Sequence, residues 1–188
     1  MQFSVRTVRR AAVALAVGCT TALTATAASA APAAPAHTAR TSVVIPSCAR
    51  NALKFRVSQG SGGAGTFTYL LRFTNTSRRT CYMAGFPGVR AVNRHGRQLG
   101  SPAAWVSGTR LRTVILRRGW TAHAVLRITN AAFFPHRLCR PAAARGLRVI
   151  PPNRVSPGYA RLRFLACSRR GTVYMRVQRV QPGHGHLS

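Results

Sequence analysis

The clearest pattern along the chain is an alternation: Phe67, Tyr69, Leu71 and Phe73 take turns with Thr66, Thr68, Arg72 and Thr74. A period of two, carried by aromatic and β-branched residues, predicts a strand with one buried face. Asn75–Arg79 breaks the pattern with turn-forming residues, and Gly85–Gly88 (GFPG) is a second turn signal. The same alternation recurs on both sides. Leu53, Phe55 and Val57 alternate with Lys54, Arg56 and Ser58. Val89–Val92 opens a strand that turns at Asn93–Gly96 into Gln98–Leu99, and Ala103–Val106 reads as a short edge strand containing Trp105. Arg112, Val114 and Leu116 alternate with Thr113, Ile115 and Arg117. After Arg118-Gly119, the residues Trp120, Ala122, Ala124, Leu126 and Ile128 share a face, with His123 on the opposite, solvated one. Asn130–Cys139 is irregular. Gly146–Pro152 is a strand stopped by prolines. Tyr159–Ala166 and Thr172–Val180 are the last two strands, joined at Ser168–Gly171. No amphipathic helix follows residue 30. The expected fold is all-β: an antiparallel, immunoglobulin-like β-sandwich of about eight or nine strands.

The ends of the chain read differently. Residues 1–30 have the layout of a secretory signal: Arg6, Arg9 and Arg10, then the apolar run Ala11–Val17, then an A-x-A site at Ala28–Ala30. Cleavage after Ala30 is the favoured reading. The alternative is a weak lipobox at Ala16–Cys19, which would leave a lipid anchor on Cys19, and Arg9-Arg10 resembles a twin-arginine signal. The segment is too short and too rich in Thr and Ala for a membrane span, so no transmembrane span is expected in the mature chain. Residues 31–47 are an Ala/Pro/Thr-rich linker, 48–181 the β-sandwich domain, and 182–188 a flexible tail. The glycine-rich run Gln59–Gly65 lacks the Lys-Ser/Thr of a phosphate cradle and feeds a strand, so a flexible hairpin loop is expected there.

Composition narrows the chemistry. The 188 residues include 29 Lys+Arg and 6 His but no Asp or Glu, for a formal charge of +29. Lys54 is the only lysine, so the other basic side chains are all arginine. Without carboxylates there is no glycosidase acid/base pair, no Ser-His-Asp triad, no carboxylate calcium site and no zinc-protease glutamate. The chain therefore reads as a non-enzyme with no cofactor. His184 and His186, in the tail, fall short of a structural metal set. Self-repulsion among the arginines has no internal relief, so counter-ions or an anionic partner must screen it.

Removing the signal takes away Cys19 and leaves Cys48, Cys81, Cys139 and Cys167. An even count in an exported chain implies disulfides. Cys48 precedes the first strand and Cys81 follows its antiparallel neighbour, so both sit at one end of that hairpin. Cys139 and Cys167 flank the Leu147–Ile150 and Tyr159–Ala166 pair in the same way. The expected bonds are Cys48–Cys81 and Cys139–Cys167, each contributing about 2–4 kcal/mol.

These pieces also carry a family resemblance. Phe73–Ser77 (FTNTS), Thr80-Cys81, Gly85–Val89 (GFPGV), Gly96–Gly100 (GRQLG), Cys139–Pro141, Gly146–Val149 with Pro151-Pro152, and Cys167 together resemble the actinobacterial domain of unknown function 4232, over roughly residues 48–181. The resemblance implies a secreted or lipid-anchored β-sandwich and no catalytic residue. The family commonly carries acidic residues in its turns. Here the turn at Asn93-Arg94 is neutral and basic, so the charge pattern is this chain's own.

By alternation, Arg56, Arg72, Arg112, Arg127, Arg148, Arg161, Arg163 and Arg176 mostly point outward from strands. Arg78-Arg79, Arg117-Arg118 and Arg169-Arg170 add charge at turns. Guanidinium forks suit phosphate and carboxylate oxygens. Two functions compete. One is an extracellular module, secreted or wall-associated, for anionic envelope polymers or lipid headgroups. The other is an extracellular nucleic-acid binder, for which no motif and no basic aromatic platform is evident.

Overall fold

The computed structural model describes residues 44–58, 60–108 and 110–187. The signal, the Cys19 alternative and the linker as far as residue 43 lie outside the described residues. Thirteen strands follow in order among them: β1 (Leu53–Val57), β2 (Ser61–Gly63), β3 (Thr66–Asn75), β4 (Cys81–Ala84), β5 (Gly88–Val92), β6 (Gln98–Leu99), β7 (Ala104–Trp105), β8 (Thr113–Leu116), β9 (Thr121–Thr129), β10 (Pro141–Ile150), β11 (Gly158–Cys167), β12 (Met175–Val177) and β13 (Gln181–Pro182). A single helical turn, α1 (His136–Cys139), precedes β10. The count exceeds eight or nine because several strands span only two to four residues, too short to show alternation.

The strands form three sheets. The largest has the order β1-β3-β9-β12-β7, with β2 added beside β3 and β13 beside β9. The second has the order β11-β10-β5-β6, and β4 pairs with β8 in a third. β3 and β9 pair from Thr66 opposite Thr129 to Thr74 opposite Thr121. This register puts Leu71 and Phe73 on the same face as Ala122, Ala124, Leu126 and Ile128. Those side chains join Val89, Ala91, Leu147, Val149, Ala160 and Ala166 from the second sheet in one buried core. Burying each large apolar side chain is worth roughly 1.5–3 kcal/mol. Phe55 meets Phe73 edge-on, with ring centroids 5.7 Å apart. Gly158 of β11 lies where the Phe55 ring leaves no room for a Cβ.

The polar turn after β3 is closed by one side chain. Asn75 is fully buried, and its Nδ2 donates to the carbonyls of Arg79 (2.8 Å) and Leu116 (2.9 Å). Its Oδ1 accepts from the Ser77 amide and hydroxyl. All the hydrogen-bonding capacity of the amide is used, as burial demands.

Both disulfides form as the hairpin argument placed them: Cys48–Cys81, with Cα atoms 4.8 Å apart, and Cys139–Cys167, at 4.5 Å. Before Cys48, Ser47 bridges Tyr82 and the Tyr82 amide donates to the Pro46 carbonyl, so ordered pairing begins within the stretch read as linker.

Several local readings are corrected. β7 is an edge strand but runs parallel to β12, so pairing is antiparallel with this one exception among the named strands. The glycine-rich loop is a tight hairpin: Ser61–Gly63 pairs with Thr66–Thr68 through a turn in which Ala64 and Gly65 both adopt positive φ. The segment read as a flexible tail is docked instead. Gln181 and Pro182 pair with His123 and Ala122, the Gly183 amide donates to the Thr121 carbonyl, and Arg72 Nε donates to the His184 carbonyl at 2.9 Å. His123 is therefore not solvated. It is 9% exposed, with Nδ1 2.9 Å from the Gly183 carbonyl oxygen and its ring against Gly185. On the same outward face the next position along β3 is Leu70, opposite Val125 and only 1% exposed.

Candidate anion-binding surface

The registers sort the sequence-predicted arginines into groups. Arg56 lies opposite Arg72, which lies opposite His123, which lies opposite Gln181, in one row across the large sheet. Arg56 is exposed, while Arg72 is half-buried and tied to the tail carbonyl of His184. Arg72 thus holds the tail and is not a free surface cation. Four residues further along, Arg127 of β9 lies between Thr68 of β3 and Arg176 of β12. Both arginines are exposed. With Trp105, Val106, Ser107, Val125 and Gln178 they line a groove of ≈ 270 Å³ at the parallel edge. Trp105 is 63% exposed and stacked on Phe86, with centroids 5.4 Å apart.

On the second sheet Arg148 of β10 lies between Arg90 of β5 and Tyr159 of β11. Arg161, opposite Gly146, and Arg163 are exposed on β11, the edge strand. Like charges directly opposite on neighbouring strands are destabilising unless screened. The pairs Arg56–Arg72, Arg127–Arg176 and Arg90–Arg148 are all of this kind.

Without carboxylates the guanidinium groups turn to backbone oxygens. Arg154 donates to the carbonyls of Ser47 and Cys48, Arg50 to that of Pro157, and Arg169 to that of Arg137. These arginines are braces between segments far apart in sequence, a role alternation does not reveal.

Arg112, outside β8 by one residue, is exposed and lines a cavity of ≈ 400 Å³. Its walls come from β8, from Trp120 and Thr121 at the start of β9, and from Arg179 and Gln181–Gly183. The docked tail strand is thus one wall. Trp120 is 53% exposed, with the Arg117 guanidinium 5.2 Å from its ring centroid. Arg179 is half-buried, and its Nε is sealed from solvent with no hydrogen-bond partner among the described residues. Sequence reasoning passed over Arg179. The signal was present: it follows Met175 and Val177 at the inward parity of the strand, where an arginine is out of place.

Among the described residues no group of three or more His, Cys, Asp or Glu side chains could hold a metal ion. No helix among them is long and apolar enough to cross a membrane. No curated protein and no solved structure matches the chain. The family model described as Domain of unknown function (DUF4232) matches residues 48–181, the stretch running from the first disulfide cysteine to the start of the tail strand, and the chain belongs to that family.

Proposed function

We propose that this is an exported, non-catalytic binding module that docks on anionic polymers or lipid headgroups of the cell envelope. The observation that carries the reading is the set of facing arginine pairs on both sheets in a chain that holds no Asp or Glu. Cations arranged in this way are relieved only by anions from outside the molecule. Arg56, Arg127 and Arg176 on one sheet and Arg148, Arg161 and Arg163 on the other are the contact residues; Arg112 and Arg72 serve the cavity and the tail. Two disulfides and the signal-like residues 1–30 support an oxidising, extracellular location. Absence of side-chain carboxylates supports the lack of catalysis, since the common hydrolytic sites need them.

The test is retention of the disulfide-bonded protein on purified cell walls, anionic vesicles and DNA-cellulose across a salt series. Retention on walls or anionic vesicles, falling as salt rises, is the expected result. Joint substitution of Arg127 and Arg176 by Gln is expected to lower the salt at which the protein elutes. Stronger retention on DNA at every salt concentration would favour nucleic acid as the partner, and salt-insensitive retention removes the electrostatic reading altogether.

A further inference from the structure

The cavity beneath the tail strand differs from the arginine-bearing sheet faces. It is a concave space of ≈ 400 Å³, within the usual range for small-molecule sites, and it joins apolar walls at Val114, Ile115 and Pro182 to a few polar groups. One of those groups is in an unusual state. Arg179 is half-buried, its Nε is enclosed without a partner among the described residues, and the chain holds no side-chain carboxylate that could pair with it. A buried guanidinium nitrogen left unsatisfied is destabilising. Partial burial also removes water that would otherwise compete for the two Nη groups, so an oxyanion meeting them is held more strongly than on the open surface. Arg112 supplies a second cation to the same space. Trp120 supplies an exposed indole, and Thr113 and Gln181 supply uncharged polar side chains suited to hydroxyl groups.

We infer that this cavity is a discrete site for one sugar unit bearing a phosphate or carboxylate, with Arg179 and Arg112 receiving the oxyanion and Trp120 carrying the face of the ring. The apolar and indole surface fits the C–H face of a sugar, which a bare phosphate lacks. The two arginines fit the charge, which a neutral sugar lacks. The tail belongs to the site because Gln181, Pro182 and Gly183 form its wall, held by the Thr121 carbonyl and by His123. The inference deepens the envelope-binding reading by naming a unit of such a polymer, yet it stands or falls on different measurements.

The test uses the disulfide-bonded protein carrying Trp105→Phe, so that Trp120 is its only tryptophan outside residues 1–43. Indole fluorescence is followed while glucose 6-phosphate, glucuronate, glucose and inorganic phosphate are added in turn. The expected result is a saturable change with glucose 6-phosphate or glucuronate, and binding at least about tenfold weaker for glucose and for phosphate alone. Arg179→Met is expected to weaken the charged ligand about tenfold or more while raising Tm, because it removes the unsatisfied nitrogen. The rise in Tm separates loss of a ligand contact from loss of fold. Arg112→Gln, at an exposed position, gives the same ligand loss without depending on the buried residue, and the Arg127→Gln/Arg176→Gln variant is expected to titrate normally. No saturable signal, equal binding of glucose, or unchanged affinity in both Arg179→Met and Arg112→Gln overturns the site. A protein that binds the sugar phosphate but ignores cell walls keeps the site and loses the envelope role; the reverse outcome keeps the role and loses the site.

Discussion

Tyr174 carries a testable consequence of burial at a single residue. It is fully packed, and its hydroxyl donates to the Leu99 carbonyl at 3.1 Å, joining the stretch before β12 to β6. Burial disfavours the phenolate and pushes the pKa well above the ordinary 10.0. The sign follows from which state holds the proton more tightly. The folded state does, so the contribution is complete below about pH 10 and is lost as pH rises from there toward the folded value. Stability by urea denaturation is therefore expected to fall above pH 10 in the native protein. The fall should be shallower in Tyr174→Phe, which itself loses about 1 kcal/mol at neutral pH with the hydrogen bond. An alkaline slope unchanged by the substitution would assign the loss to other groups. The arginines show how residue-scale reading divides. Exposed Arg56, Arg127, Arg148, Arg161 and Arg176 follow the alternation of their strands. Arg72, Arg154 and Arg179 take their roles from carbonyls or cavities contributed by distant segments, and nothing in their immediate sequence specifies those partners.

At the scale of elements, β1, β3, β5 and β9 were legible because each carries an alternating apolar face whose burial sets period and register, while the added burial of Leu70 and His123 on the opposite face was not. The disulfides were legible for the same reason, since antiparallel hairpins bring their flanks together. β13 was not, and of β7 the edge strand was legible but its parallel pairing was not. Each has two residues, and each is held by pairing across many intervening positions, with Gln181 opposite His123 and Trp105 opposite Val177. The two disulfides also make a quantitative contrast. They close sequence separations of 33 and 28 residues, so loop entropy assigns each about 3–4 kcal/mol and makes the two nearly equal. Cys48→Ser/Cys81→Ser and Cys139→Ser/Cys167→Ser are expected to lower the unfolding free energy by that amount in denaturant titrations. A loss below about 1 kcal/mol in either variant would show that its reduced, unfolded chain retains structure that the entropy account leaves out.

The described residues form a β core whose charged side chains are all of one sign. Ordinary proteins intersperse acidic and basic groups, and added salt weakens attraction and repulsion together. Here only repulsion among side chains remains to be screened, because the chain contains no Asp or Glu. The facing pairs Arg127–Arg176 and Arg90–Arg148 concentrate it on neighbouring strands. Stability should therefore rise with ionic strength. The screening length shrinks from about 30 Å at 0.01 M to about 8 Å at 0.15 M, so most of the gain is expected within that interval. A discrete oxyanion site adds a second effect that screening does not supply. An anion bound to the folded state alone stabilises it by mass action, by an amount that keeps rising with the logarithm of its concentration once that exceeds Kd. Sulfate at matched ionic strength is thus expected to raise Tm above chloride, and the excess should shrink in Arg179→Met. The measurement is a thermal unfolding series in sodium chloride and sodium sulfate, run on the native protein and that variant. A Tm that stays level or falls with either salt would mean that the arginine shell does not strain the fold. An excess for sulfate that survives the substitution intact would owe nothing to the tail cavity, because exclusion of sulfate from the protein surface also stabilises a fold.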